Sequence, residues 1–129
     1  MRIDLTTLVV DDQDEALAFF VDALGFELAE DVAGTTNDGR AKRWLVVRPP
    51  GGGTGLLLAR ADGPGQLAAV GSQAGGRVGF FLHVADFAAQ HARMLAAGVQ
   101  FLEEPRTEPY GTVAVFVDCA GNRWDLLGG

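Results

Sequence analysis

The fold of this chain is decided by residues 3–28, which read IDLTTLVVDDQDEALAFFVDALGFEL. The apolar, β-branched run over 3–10 predicts a buried strand. Asp12 is placed to cap a helix whose apolar residues recur at helical spacing, and Gly25 ends that helix. A second strand is expected over 26–32. The stretch therefore predicts a strand, a helix packed against it and a return to strand.

The same order of elements returns later in the chain. Two further strands, over 41–48 and 55–61, complete the first set. A segment rich in glycine, alanine and glutamine over 62–76 is interpreted as a linker. The second set then consists of a strand over 77–84, a helix capped by Asp86, and strands over 99–102, 112–117 and 123–127.

The two sets also match locally, since Ala23–Leu28 (ALGFEL) corresponds to Ala96–Phe101 (AAGVQF). A repeat of this size predicts two like modules related by a pseudo-twofold axis. We therefore predict one α+β domain over 1–129, with module one at 1–61 and module two at 77–129. Each sheet should curl, with its helix on one face and the other face lining a cup.

Composition and charge exclude several classes of function. The chain has 129 residues and a net charge of -7, so a nucleic-acid backbone or an anionic membrane surface would repel it. The densest basic spot, Arg40, Lys42 and Arg43, is too small to offset that charge. A lone cysteine, Cys119, and an acidic residue at position 4, where a signal peptide is apolar, favour the cytoplasm.

The order and spacing of several motifs resemble the vicinal oxygen chelate superfamily, the glyoxalase/bleomycin resistance protein/dioxygenase fold. The likeness covers nearly the whole chain. It is carried by LVVDD at 8–12, ALAFF at 16–20, LGF at 24–26, GV at 98–99, PYG at 109–111, FVD at 116–118 and GNRWDL at 121–126. The family contains metal-dependent lyases, isomerases, epimerases and dioxygenases, as well as antibiotic-binding proteins without metal. The fold alone does not decide between them.

The metal positions that the resemblance implies are largely lost. In the enzymes four inward side chains, mostly His and Glu, hold a divalent cation. The corresponding residues here are Leu5, Gly79, either Leu57 or Leu58, and Asp125, and only the last can coordinate a metal. His83 shares the face of Gly79 but lies about 13 Å further along its strand. We therefore predict no metal and no other cofactor.

The aromatic residues indicate an apolar ligand site. Phe81 shares strand parity with His83 and should face the cup, whereas Trp124 should face the helices, opposite to Asp125. Filling of the cup by side chains is the alternative interpretation. The candidate ligand-binding residues are Leu5, Trp44, Leu58, Phe81, His83, Phe101, Tyr110 and Asp125.

Other polar residues have structural interpretations. His83 is expected to be hydrogen-bonded near a helix cap or to line the pocket, and His91 to be half-buried in the core. Glu103, Glu104 and Glu108 are expected in an exposed acidic loop. Cys119 is expected to be unreactive.

Three functions are compatible with these features. The first is a drug-binding or sequestration protein of the antibiotic-resistance type, which holds a small apolar or aromatic molecule in its cup without a metal. The second is a superfamily lyase, isomerase or dioxygenase with a degenerate metal site, in which Asp125 acts as ligand or base. The third is a structural or regulatory dimer with a filled cup. The resemblance also implies a homodimer, because in relatives the modules of two chains often complete two cups.

Overall fold

A computed structural model describes all residues, 1–129, and contains eight strands arranged in two sheets. A π-helical turn over Phe19–Ala23 continues the first helix. The strands are β1 (Leu5–Val10), β2 (Glu27–Thr35), β3 (Ala41–Arg48), β4 (Gly55–Arg60), β5 (Val78–Val84), β6 (Arg106–Glu108), β7 (Gly111–Val117) and β8 (Arg123–Gly128), and the helices are α1 (Gln13–Ala18), α2 (Gly63–Ala69) and α3 (Phe87–Ala96).

The two sheets share one topology, which confirms the predicted pair of βαβββ modules. Their strand orders are β1-β4-β3-β2 and β5-β8-β7-β6. In each module the first strand pairs in parallel with the last, and the other pairings are antiparallel. The sheets do not close into barrels, so the fold is α+β with two open modules.

The helix boundaries follow the capping chemistry of the sequence. Asp12 accepts a hydrogen bond from the backbone N–H of Glu15 at 3.0 Å, and Asp86 accepts one from Ala89 at 3.0 Å. Gly25, just beyond the first helix, has φ +87°, which L side chains rarely adopt. A Cβ there would meet only the end of the flexible Arg93 side chain, at 2.8 Å, so it is the backbone conformation that requires glycine.

One hydrophobic core is shared by both modules. Phe20 of module one lies against Trp124 of β8, with ring centroids 5.6 Å apart. Trp124 stacks in turn on Phe80 and Phe116, and it is 3% exposed, as strand parity predicted. The helices join the modules as well, because Gln90 of α3 donates to the Leu24 carbonyl at 2.8 Å.

Two predicted segments differ from the structure. Residues 99–102 do not form a strand, and only Phe101 makes an isolated bridge, to Phe116. The missing strand of module two is β6, in the segment that we expected to be an exposed acidic loop. It pairs with β7 in antiparallel register, and Arg106 within it forms ion pairs with Glu103 at 3.1 Å and with Glu108 at 2.6 Å, which offset the local acidic charge.

The segment over 62–76, expected to be a linker, contains α2 and packs against module one. Its Gln73 side chain accepts a hydrogen bond from the Val9 N–H at 2.6 Å and donates one to the Thr7 carbonyl at 3.0 Å. The amide thus takes the place of a neighbouring strand along the free edge of β1. None of the helices has both the length and the apolar character needed to cross a bilayer.

Candidate functional site

The side of each sheet that carries no helix forms an open surface. Alternate residues of the strands point into the shared core, for example Leu8 and Leu58 in module one and Ala114 and Leu126 in module two. The intervening residues lie on the opposite side, which we call the helix-free face. In module one it carries Leu5, Thr7, Val9, Trp44, Val46, Leu57 and Ala59; in module two it carries Phe81, His83, Val113, Val115, Asp125 and Leu127.

These two faces do not enclose a cup within one chain. Both sheets turn their helix-bearing sides to the common core, so their helix-free faces point away from it. The exposure of the aromatic residues agrees with this, since Trp44 is 37% and Phe81 67% exposed, whereas the smaller Val46 and Val113 on these faces are fully buried. The core between the two modules therefore occupies the space between the sheets, and each sheet presents its helix-free face separately.

Most of the predicted site residues lie on or beside these faces. Leu5 and Trp44 are on module one, and Phe81, His83 and Asp125 are on module two, where Phe81 is directly beside Asp125 in the sheet register. Tyr110 lies in the β6–β7 turn, is 61% exposed and contacts Arg106.

Two predicted residues belong to the core instead. Leu58 is fully buried, and Leu57, one residue earlier, occupies the helix-free face, because side chains alternate along β4. Phe101 packs on the helix side of module two, with ring centroids 4.5 Å from His91 and 5.7 Å from Phe116. Neither residue can line the helix-free face.

The two histidines take different surroundings. His91 stacks on Phe87 with ring centroids 5.4 Å apart and is half-buried, as predicted. His83 is exposed on the helix-free face of module two, two residues from Phe81, and its side chain makes no hydrogen bond. It therefore lines the open face rather than supporting the helix cap.

The metal that the resemblance implies does not fit these residues. The implied positions hold Leu5, Gly79, Leu57 and Asp125, of which three have no donor atom. No cluster of three or more His, Cys, Asp or Glu side chains with a geometry suited to a metal ion occurs in the structure.

Asp125 is the carboxyl group on the face of module two. Its Oδ1 is buried and has no hydrogen-bond partner. Burial raises the pKa of this carboxyl; Arg106 opposes the rise and Glu103 adds to it.

A pocket of ≈ 780 Å³ lies where β3 and β4 separate. These strands pair only at Val46–Leu57 and Val47–Leu56. Beyond that point the Gln13 side chain lies between them and donates to the carbonyls of Arg43 at 3.2 Å and Leu58 at 2.9 Å. We call this cavity the β3–β4 pocket; its lining residues include Gln13, Lys42, Trp44, Leu57, Ala59, Arg60 and Gln66.

Gln13 was not among the predicted site residues, because a glutamine in the first turn of a helix carries no signal that it will face a gap between strands.

A second pocket of ≈ 490 Å³ lies between the first helix and module two and includes Cys119. Burial raises the pKa of the Cys119 thiol to about 12, and the nearby Asp118 carboxylate makes a smaller contribution in the same direction. This agrees with an unreactive cysteine.

Comparison with known proteins places this geometry in context. The family model described as Glyoxalase/Bleomycin resistance protein/Dioxygenase superfamily matches residues 2–126. An uncharacterized protein of Shewanella frigidimarina (strain NCIMB 400) is 51% identical over 121 residues, which are 93% of this chain and 87% of the relative.

Two solved structures are also similar in sequence and fold. The crystal structure of UcmS2 is 33% identical with a TM-score of 0.80, and the match covers 98% of this chain and 97% of UcmS2. TnmS3, described as an antibiotic binding protein from Streptomyces sp. CB03234, is 32% identical with a TM-score of 0.76, and the match covers 99% of this chain and 95% of TnmS3.

Proposed function

The chain belongs to the Glyoxalase/Bleomycin resistance protein/Dioxygenase superfamily, and on that premise we propose that it binds a small apolar or aromatic molecule at its helix-free faces without a metal ion. The observation that carries this proposal is the pair of exposed aromatic side chains, Trp44 and Phe81, on those faces. A flat ligand that covers these large apolar side chains removes them from water, and this burial of apolar surface favours binding.

Similarity to TnmS3 supports the drug-binding branch of the superfamily. That protein is described as antibiotic binding, and its match extends over 99% of this chain. We propose the same class of role here, sequestration of an antibiotic-like molecule as a form of resistance. The lone thiol of Cys119 suits the cytoplasm as the place where this occurs.

We further propose that the protein is a homodimer in which each helix-free face of module one meets the face of module two of the other chain. The open faces support this, because apolar side chains such as Val32 and Phe81, 56% and 67% exposed, would be covered. A twofold arrangement would create two equal cups, each with one aromatic wall from either chain.

The experiment is a thermal-shift screen of aromatic natural products against the wild type, Trp44→Ala, Phe81→Ala and the control Leu95→Ala. Leu95 is 51% exposed on α3, away from both faces. A ligand at about a hundred times its Kd adds roughly 2.7 kcal/mol to the free energy of unfolding, or about 10 °C in Tm for a chain of this size.

We expect the shift to be lost in the two face variants and kept in Leu95→Ala. Sedimentation should give a dimer. A screen without any hit would favour the structural dimer with a filled cup, and equal shifts in all four proteins would contradict binding at these faces.

A second candidate is a lyase, isomerase or dioxygenase of the same superfamily. It is favoured by one observation, the buried and unpartnered Oδ1 of Asp125. Elemental analysis of protein purified without chelators distinguishes the two functions. One divalent ion per site, lost in Asp125→Ala, would support the enzyme and contradict metal-free binding.

A further inference from the structure

Two kinds of cationic side chain surround the β3–β4 pocket, those held in ion pairs and those without a partner. Arg40 is paired with Asp38 at 3.0 Å and with Asp62 at 3.1 Å. Arg43 is held by two other aspartates, at 2.7 and 2.8 Å. These carboxylates raise the pKa of both guanidinium groups and leave them no free charge for a ligand. The two arginines therefore shape the pocket wall.

Lys42 and Arg60 line the same pocket but form no ion pair or side-chain hydrogen bond. Acidic residues outnumber basic ones by 17 to 10, so an unpaired cation is uncommon in this chain. Six of the ten cations bond an aspartate, a glutamate or a backbone carbonyl. The four that do not are Lys42, Arg60, Arg77 and Arg123, and the first two line this pocket.

The apolar part of the pocket lies beside these cations. Trp44 and Lys42 are two residues apart on β3 and so share a face, and Leu57 and Ala59 line the pocket from β4. The Trp44 indole is oriented by a hydrogen bond from its Nε1 to Glu30 at 3.2 Å. One cavity therefore offers apolar side chains to a flat ring and cations to an anionic group.

We propose that the ligand is a flat aromatic acid, with its ring against Trp44 and Leu57 and its carboxylate on Lys42, which shares their face. Arg60 has the strand parity of the buried Leu58 and adds positive charge from the other side of β4. This inference rests on the proposed function and names the chemical class of its ligand. The net charge of -7 does not prevent such binding, because salt at physiological concentration screens the repulsion from charges more than about 8 Å away. The two cations, by contrast, line the pocket itself.

The test compares the binding of 2-anthracenecarboxylate with that of its neutral carboxamide. Binding is measured by the fluorescence anisotropy of the probe. Charge-assisted hydrogen bonds should make the acid bind about tenfold tighter than the amide to the wild type. The preference should disappear in the double variant Lys42→Met/Arg60→Gln, which keeps side-chain length. Arg77→Gln is the matched control, since Arg77 is also exposed and unpaired but lies outside the pocket. Lys42→Arg should keep the preference.

A second readout uses the fact that Lys42 is the single lysine of the chain. The acid, but not the amide, should slow acylation of Lys42 by an amine-selective reagent, as read by peptide mass spectrometry. This measurement needs no variant, so it holds even if the double variant folds poorly.

The outcomes separate this inference from the proposed function. Equal binding of acid and amide, with no protection of Lys42, would overturn the inference and leave aromatic binding intact. Absence of binding by both probes would contradict the inference and the proposed function together. A double variant that loses the dimer in sedimentation would show that the two cations pair with a second copy, and would also overturn the inference.

Discussion

Replacement of Gln13 should both destabilise the fold and narrow the β3–β4 pocket. The Gln13 amide donates to two carbonyls on different strands, Arg43 at 3.2 Å and Leu58 at 2.9 Å. Gln13→Ala leaves both acceptors without a donor at a partly buried position. An unsatisfied buried group costs about 1–3 kcal/mol, and water will reach part of this gap, so we expect a loss of about 2 kcal/mol.

The assay is urea unfolding, supported by Tm. For a chain of this size a loss of about 2 kcal/mol lowers Tm by roughly 8 °C. Gln13→Glu provides the sharper comparison, because a carboxylate of the same length places an acceptor against two carbonyls. It should be at least as destabilising at neutral pH as Gln13→Ala. The control Gln100→Ala removes an exposed glutamine whose side chain makes no hydrogen bond and should change stability by less than about 0.5 kcal/mol.

A Gln13→Glu variant as stable as the wild type would refute this reasoning, since it would show that the side chain does not hold the strands apart. The same would follow if Gln13→Ala lost stability but still bound the aromatic probes with unchanged affinity, because the pocket depends on the gap that the amide maintains.

Three further predictions concern module two. Asp118→Ala should lower the free energy of unfolding by about 3 kcal/mol in urea titrations, because the 5% exposed carboxylate accepts hydrogen bonds from three backbone N–H groups and from Trp124 Nε1 at 2.8 Å; a loss below about 1 kcal/mol would contradict this. Burial raises the native pKa of Asp125, so its effect on stability is absent at low pH and becomes unfavourable as pH rises from about 3.9 through the raised native value. Asp125→Asn should therefore gain stability relative to the wild type between acidic and neutral pH, and a difference that does not change with pH would argue against it. Native Cys119, with a pKa of about 12 in place of 9.0, should react about a thousandfold more slowly with a thiol reagent at mildly alkaline pH than after unfolding, and equal rates would refute its burial.

Strand parity predicted a large part of the candidate site. It assigned Phe81 and Asp125 to the helix-free side and Trp124 to the core, since side chains alternate in an extended strand. It did not decide between Leu57 and Leu58, because a register error of one residue reverses the face and only the pairing of β4 with β3 fixes it.

The amino-acid sequence by itself determined the repeat, the two helix caps and the hydrophobic alternation of the strands, because each depends on residues a few positions apart. Only the tertiary structure decided that the helix-bearing sides of both sheets share one core, which leaves the opposite faces open. It alone placed Gln13 between β3 and β4, against carbonyls 30 and 45 residues away. Such contacts depend on how whole elements pack, and no local pattern of residues encodes that arrangement.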